Sequence, residues 1–297
     1  MDAVVLVGGF GTRLRPLTLT RPKQMLPVVD RPMIEHVVGR LGQQGVTRAV
    51  LSLGYRPDAF EAAYPQHRCA GVELFYAVEP EPLDTAGAIG FAARMADVKD
   101  TFIAVNGDVI SDFPLADLLD AHREKGASAT IALTPVDDPS RYGVVVCDPD
   151  GRVQAFVEKP PADEAPSRWI NAGMYVLEPS VLDLMPESRP SSIERETFPS
   201  LVQKGLLYAV AQDGFWIDAG TPAAYLEVQL ALAGGSHIHS TANIAPSARI
   251  ANSVIMEHVT VAAGARIAES VLLPYSTVKA NVEINRAIIT PEHHITI

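Results

Sequence analysis

Ala3-Val4-Val5-Leu6-Val7-Gly8-Gly9-Phe10-Gly11-Thr12-Arg13-Leu14 begins as an apolar run and breaks into a turn with three glycines in four residues. A strand apolar on both faces belongs at the centre of a parallel sheet covered by helices on each side. Residues 101–105 repeat the pattern and end in Asn106-Gly107-Asp108. In such sheets ligands sit at the carboxyl ends of the strands, where both loops emerge. Outward from these runs, residues 48–53, 72–77, 128–133, 143–147, 153–157 and 172–177 read as further strands, and 32–44, 85–95 and 115–125 as amphipathic helices. The alternation predicts an α/β fold. Taken alone, either loop reads equally well as an ordinary turn.

The composition narrows the function classes. With 47% hydrophobic and 20% charged residues in 297, the chain has the makings of a large core, and neither a disordered nor a fibrous composition. No apolar run approaches the roughly 20 residues that cross a bilayer, and the amino-terminal stretch reads as a strand instead of a signal peptide. The expectation is a soluble, cytoplasmic protein. Cys69 and Cys147 lie far apart without CxxC spacing or neighbouring histidines, which indicates neither a disulfide framework nor a zinc site. A net charge of -11 repels a polyanionic backbone, so nucleic acid is not expected as a partner, nor is a membrane.

Past Gly234-Gly235-Ser236 the grammar changes. Apolar residues recur six and then eleven apart, through Ile244 and Ile250, Val261 and Ile267, Val278 and Ile284, then Ile295, with Val254, Val271 and Ile288 as a third column. Three apolar positions per seventeen-residue repeat predict short strands stacked as a triangular parallel β-helix. Small residues between the columns, Ala245, Ser247, Ala262, Ala263 and Gly264, suit its corners. So few coils need a neighbour, and docking on the preceding α/β domain or another subunit is expected. The domains expected are 1–233 and 234–297.

Gly8, Gly9 and Gly11 let backbone N–H groups approach a phosphate or a base. The loop lacks the Gly-Lys-Ser/Thr of a P-loop, and Leu14 stands where a dinucleotide fingerprint needs glycine. It does carry Arg13, and Lys23 follows within Arg21-Pro22-Lys23-Gln24-Met25-Leu26-Pro27. Two cations flanking a glycine turn suit a triphosphate, although the same segment alone reads as solvated surface.

Gly8-Gly9-x-Gly11-Thr12-Arg13-Leu14-x-Pro16-Leu17-Thr18 followed by Pro22-Lys23-x-Met25-Leu26-Pro27 resembles the signature of the sugar-1-phosphate nucleotidylyltransferases, the nucleotide-sugar pyrophosphorylases. The likeness continues through Val105-Asn106-Gly107-Asp108, Tyr142-Gly143-Val144-Val145, Val157-Glu158-Lys159-Pro160, 170–177 and Trp216-Ile217-Asp218-Ala219-Gly220, over about residues 1–232. Ser192-Ile193-Glu194-Arg195-Glu196 most resembles the mannose-1-phosphate guanylyltransferases of that family.

The resemblance implies a Rossmann-like mixed, mainly parallel sheet flanked by helices, followed by a short left-handed parallel β-helix. It implies transfer of a nucleotidyl group from a triphosphate to a sugar 1-phosphate with release of pyrophosphate. By the same resemblance Arg13 and Lys23 hold the triphosphate, Asp108 and Asp218 bind Mg2+, and Lys159 meets the acceptor phosphate. Gly8, Gly9, Gly11, Thr12, Glu79, Thr85, Gly107 and Asp108 fall on the nucleotide, and Tyr142, Gly143, Glu158, Lys159, Asn171 and Asp218 on the sugar phosphate. The sugar phosphate is itself the nucleophile, which accounts for the lack of a Ser-His-Asp or Cys-His arrangement.

Glu79 stands where relatives using uracil or thymine carry Gln. A carboxylate only accepts, and guanine offers N1–H and N2–H together, so Glu79 favours GTP and a GDP-mannose product. Asp84 departs from the family's glycine, a position implying left-handed or crowded backbone. The β-helix is short for a guanylyltransferase of this type, leaving room for UTP, dTTP or ATP, and for glucose 1-phosphate or a cyclitol phosphate. A non-catalytic nucleotide-sugar-binding subunit is the reading of another class. A homo-oligomer, dimer or tetramer, is expected. His293-His294 reads as solvated.

Overall fold

The computed structural model describes residues 1–54, 56–187 and 189–297. The chain divides into two compact units, Met1–Gly9 with Val37–Trp216, and Phe10–His36 with Ile217–Ile297. This division by contacts differs from a linear boundary at 233/234, because residues 10–36 and the helix Pro222–Ala233 group with the carboxyl-terminal strands.

The first unit is built on a 10-stranded sheet. Its strands are β1 (Asp2–Leu6), β2 (Arg48–Leu53), β3 (Arg68–Cys69), β4 (Val72–Val78), β5 (Phe102–Asn106), β6 (Ala129–Pro135), β7 (Gly143–Cys147), β8 (Val153–Glu158), β9 (Trp169–Leu177) and β10 (Leu207–Ala211). The order is β8-β7-β9-β5-β1-β2-β4-β3, with β6 against β9 and β10 against β6. The centre β5-β1-β2-β4 is parallel, and β9 is antiparallel to β5. Ala3, Val4 and Val5 are fully buried, as an apolar run covered on both faces requires.

The helix Asp84–Met95 lays Ala86, Ile89, Ala92 and Ala93 into a core shared with Val4, Val50, Phe102, Ala104 and Tyr175. Asp84, at the head of that helix, has φ +58, the left-handed backbone that a family glycine implies. Its Oδ1 accepts from the Thr85 amide at 2.8 Å, a local bond that helps Asp hold this conformation. Asp84→Gly relieves the Cβ but adds freedom to the unfolded chain, and the two effects of about 1 kcal/mol oppose. Thermal melts are expected to move by no more than a few degrees for Asp84→Gly, and clearly downward for Asp84→Val, whose β-branch tolerates φ > 0 least.

Glu178 follows β9 and accepts from Thr101 Oγ1 at 2.6 Å and from the buried His122 at 3.0 Å. Burial alone pushes its carboxyl up, but the Thr101 and His122 hydrogen bonds outweigh it and hold the pKa below the ordinary 4.5. A depressed folded value stabilises the protein above the unfolded pKa, and that contribution is lost as pH falls through the folded value. Chemical denaturation of wild type against Glu178→Gln is therefore expected to show a constant gap at neutral pH that closes only below about pH 4.5. A gap unchanged down to pH 3 would remove Glu178 from the account.

The second unit carries the repeat. Ile244 pairs in parallel register with Val261 and Val261 with Val278. Ile250, Ile267 and Ile284 form the second column, and Val254, Val271 and Ile288 the third. These parallel stacks are consistent with the coils of a β-helix, and Ile255, Val261, Ile267, Leu272, Val278 and Ile284 share its core.

One expectation is corrected here. Ile295 does not extend the column of Ile244, Val261 and Val278. Strand His294–Thr296 folds back antiparallel on Ala287–Ile289, pairing Ile295 with Ile288, after a turn in which Thr290 receives the His293 amide. The small residues do lie in corners, where Ala248 N bonds Ala245 O and Ala265 N bonds Ala262 O, and further corners carry side chains at positive φ, at Asn252, Glu269 and Arg286, at His258 and Tyr275, and at Asn281. Inter-coil bonds such as Glu269 N to Ala251 O and Arg286 N to Ala268 O, formed once per coil, offset the strain of left-handed side chains. Ser253 and Ser270, both fully buried, add a ladder in which each hydroxyl accepts an amide from the next coil.

The helix Pro222–Ala233 begins at Thr221, whose Oγ1 accepts from the Ala224 amide, and packs on strands Val254–Ile255 and Ala287–Ile289. Gln229, fully buried, bonds to Val29 N and Pro27 O, tying the helix to the hairpin of Pro27–Val28 and Arg31–Pro32. Among the described residues no helix is long and apolar enough to cross a membrane.

Candidate active site

In the second unit, Gly11 takes φ +61, and a Cβ there would lie 2.9 Å from Thr18 Cγ2 and 3.4 Å from Lys23 Cβ. Thr18 Oγ1 donates to Gly11 O at 2.8 Å and fastens the loop. Thr12–Leu14 form a single 3-10 turn that leaves Thr12 and Arg13 exposed and buries Leu14. Lys23 opens a second short turn and is only 6% exposed, with its Nζ 3.7 Å from Asp218 Oδ1. Gly220 marks the convergence: a Cβ at that position would lie 2.8 Å from Asp218 Oδ1 and 3.0 Å from Arg13 Nη2. Arg13, Lys23 and Asp218 thus gather within one small region around a glycine that keeps space open.

In the first unit the loops leave the carboxyl ends of paired strands, with Leu6 opposite Asn106 and Gly107 N bonded to Leu6 O at 2.9 Å. Asp108 follows directly and is half-buried. Glu79 lies beside Gly8, its Oε1 2.9 Å from where a Gly8 Cβ would stand. Its carboxylate also accepts from Ser52 Oγ at 2.9 Å and from Leu83 N at 3.1 Å. Both oxygens keep a further lone pair, so the fixed carboxylate remains an acceptor. A Cβ at Gly9 meets nothing within 4 Å.

Thr85, a nucleotide candidate, also makes contacts within the chain. Its hydroxyl donates to Glu194 Oε2 at 2.7 Å and accepts from Ile193 N at 2.8 Å, which occupies its only proton. Glu194 also receives Ser192 Oγ at 2.7 Å, at the head of a π-helical turn, Ile193–Thr197. Sequence reasoning passed over Glu194 because its partner is 109 positions away; the only signal was the Ser192-Ile193-Glu194 block itself.

The sugar-phosphate candidates adjoin one another. Glu158 ends β8, and Lys159 stands after it with φ +50, exposed, its Nζ 2.8 Å from Glu158 Oε1. Lys159 N donates to Tyr142 O, and Gly143 is filled to contact by Phe156 and Glu158. The Tyr142 ring meets Trp216 edge-on at 5.6 Å, and Trp216 Nε1 donates to Ala172 O. Asn171 donates to Tyr175 OH at 2.9 Å and accepts from Gly173 N at 2.9 Å, across an irregularity in β9. Burial first, then the charges of Glu194, Glu158 and Asp108, push the Tyr175 phenol well above its ordinary value. That phenol therefore stays neutral.

Comparison with known proteins shows the family. A model described as "Nucleotidyl transferase" matches residues 2–234, and one described as "GMPPB C-terminal domain" matches 232–296. The chain is similar to a mannose-1-phosphate guanyltransferase of Debaryomyces hansenii, 46% identical over 230 residues, covering 76% of this chain and 63% of that protein. A mannose-1-phosphate guanyltransferase of Schizosaccharomyces pombe is 42% identical over 262 residues, covering 86% and 71%. The chain thus spans less than two thirds of the length of the first of these relatives. Among solved structures it is similar to HddC from Yersinia pseudotuberculosis complexed with GMP-PN, at 28% identity and TM-score 0.67, over 78% of this chain and 99% of that one. On its residues and on these matches, the chain belongs to the nucleotidyl transferase family.

Proposed function

We propose that the protein transfers guanylyl from GTP to mannose 1-phosphate, giving GDP-mannose and pyrophosphate. The observation that carries this reading is the convergence of Arg13, Lys23 and Asp218 around Gly220, in a chain of this family whose relatives are named for that reaction. A phosphate oxygen of the sugar phosphate attacks the α-phosphorus in line, the bond from the α-phosphorus to its bridging oxygen breaks, and pyrophosphate leaves. No proton transfer or protein nucleophile is required. The protein's task is to hold two anions together and to neutralise charge as it moves.

In this reading Arg13 and Lys23 hold the triphosphate, with amides of Gly8, Gly9, Gly11 and Thr12 directed to its oxygens. Lys159 draws in the acceptor phosphate, while Glu158 and Asn171 take sugar hydroxyls beside Tyr142 and Gly143. Glu79, fixed by Ser52 and Leu83 N, accepts from guanine N1–H or N2–H. Thr85, whose hydroxyl donates to Glu194, stands on the nucleotide side with Gly107. Asp108 and Asp218 are the carboxylates we assign to Mg2+. That donor set suits magnesium, which takes one or two carboxylates together with phosphate oxygens and water. Bound there, the cation would reduce repulsion between the two anionic substrates. We place the enzyme in the cytoplasm as a homo-oligomer, dimer or tetramer, with domains 1–233 and 234–297 and with neither nucleic acid nor membrane as partner.

The test is pyrophosphate release from GTP, UTP, dTTP and ATP, each with mannose 1-phosphate, glucose 1-phosphate and a cyclitol phosphate. GTP with mannose 1-phosphate is expected to be fastest. If GTP ranked among the poorest donors, the assignment of Glu79 would fall while the reaction class stood. No pyrophosphate from any pair would leave the binding-subunit reading in its place.

A further inference from the structure

The turn that carries Glu79 and Thr85 is tied to the distant segment 191–195 by a chain of hydrogen bonds, all of them within the first unit. Glu79 accepts from Leu83 N at 3.1 Å, and Leu83 O accepts from Ser191 N at 2.9 Å. Thr85 Oγ1 accepts from Ile193 N at 2.8 Å and donates to Glu194 Oε2 at 2.7 Å. Ser192 Oγ donates to the same carboxylate oxygen at 2.7 Å and receives Arg195 N at 3.2 Å. The carboxylate assigned to the base and the Glu194 carboxylate thus stand at the two ends of one connected set of bonds.

Glu194 is not needed to cap the helix Asp84–Met95. The amides of Ala86 and Gly87 already bond to Ser191 O, at 2.8 and 3.1 Å, and Thr85 N bonds to Asp84 Oδ1. Nor does it serve an ion pair. Glu196 has the Arg189 guanidinium, whereas among the described residues no cation pairs with Glu194. Glu194 is a half-buried carboxylate held by two neutral hydroxyls, and its Oε1 makes no hydrogen bond among the described residues. Such a group gives up hydration without an ion pair in return, which helix stability does not account for. What it does achieve is to fix Thr85. With its only proton committed to Glu194, the Thr85 hydroxyl offers a ligand an acceptor and no donor.

We propose that Glu194 is a positioning residue for base choice, a role that rests on the nucleotide reading of this turn. It orders residues 79–85 and holds the Thr85 hydroxyl as an acceptor, so that one turn presents two acceptors, at Glu79 and at Thr85. A base edge with two adjacent donors suits that pattern. Guanine brings N1–H and N2–H together, whereas adenine brings an acceptor, N1, beside its amine and would leave it facing an acceptor. The charge of Glu194 matters to this role. A hydrogen bond to a carboxylate is about twice as strong as a neutral one, which keeps the Thr85 proton turned away from the ligand.

Equilibrium dialysis of GTP and ATP on the full chain, with steady-state kinetics on mannose 1-phosphate alongside, tests it in Glu194→Gln, Thr85→Val and Thr85→Ser. In Glu194→Gln and Thr85→Val the dissociation constant and the KM for GTP are expected to rise by roughly 10-fold, with kcat changing less. Those for ATP are expected to stay level or fall, so the preference for GTP shrinks by about the same factor. Thr85→Ser keeps the hydroxyl and is expected to recover most of the preference lost in Thr85→Val. Glu194→Gln keeps the shape of the side chain and decides the outcome alone if Thr85→Val fails to fold. An equal loss with both triphosphates overturns the proposal, because a role in stability alone moves both alike. A loss confined to kcat overturns it, as does a Thr85→Ser no better than Thr85→Val. A wild type that prefers another triphosphate sinks the guanine reading of Glu79, and the inference then stands or falls on whether Glu194→Gln lowers that other preference. A wild type that releases no pyrophosphate counts against the reaction alone, since dialysis reads the same ratio.

Discussion

Asp218→Asn is expected to lower the turnover of GTP and mannose 1-phosphate by roughly 10²–10⁴-fold, with the loss falling on kcat more than on the KM for the triphosphate. The side chain has two jobs in the proposed reaction. Its Oδ1 lies 3.7 Å from the ammonium of a lysine almost withdrawn from water, and it shares the space beside Gly220 with the Arg13 guanidinium. Asparagine keeps the shape but removes the negative charge, so the two cations remain able to attract a triphosphate while the cation-binding carboxylate is gone. Ground-state binding survives and the stabilisation of moving charge does not. Steady-state kinetics with each substrate varied, alongside a thermal melt to show that the variant is folded, read out the split. A variant retaining more than about a tenth of wild-type kcat would show that Asp218 is not the carboxylate the reaction depends on.

Gly173→Ala is expected to be the most damaging single methyl group in the sheet. Gly173 has φ +75, and a Cβ there would stand 2.6 Å from Asn106 Nδ2 and 3.0 Å from Asn106 Cγ. The left-handed backbone costs about 1–2 kcal/mol for a non-glycine residue and forced repacking about 1–3 kcal/mol, so a loss of roughly 2–4 kcal/mol is expected. At about 2–4 °C per kcal/mol for a chain of this size, the melting temperature should fall by roughly 5–15 °C. The lesion also has a functional arm, because Asn106 leads directly into Gly107-Asp108. Activity of the folded fraction below the transition should fall together with stability. A melting curve within a degree of wild type would mean that β9 can shift to accept the methyl group.

The parts legible in the sequence were those in which a side chain's neighbours are set by a short period. The three apolar columns of the repeat fall where their spacing puts them, because each coil repeats one set of burial demands. Ile295 obeyed the same spacing and yet pairs elsewhere, since spacing carries no strand direction, and direction was decided by the turn at Thr290–His293. The helix Pro222–Ala233 went unread for a related reason. Apolar residues on every side give no amphipathic stripe, and its one buried amide, Gln229, finds its partners in a hairpin 200 positions away. At the site, glycines and cations were legible as types, whereas the pairing of Thr85 with Glu194 joins two segments with no shared pattern.

The antiparallel return of His294–Thr296 limits how such a stack can grow. A further parallel coil cannot dock on Ala287–Ile289, which is already flanked by both neighbours, and the outer edge of the face is now His294–Thr296, which runs against the other strands. Parallel coils that keep this face in register enter between existing turns of the solenoid, in whole multiples of seventeen residues, the spacing at which serine hydroxyls and left-handed corners recur. An insertion one residue longer or shorter would rotate isoleucines out of the interior and leave the downstream serine rungs facing the wrong amides.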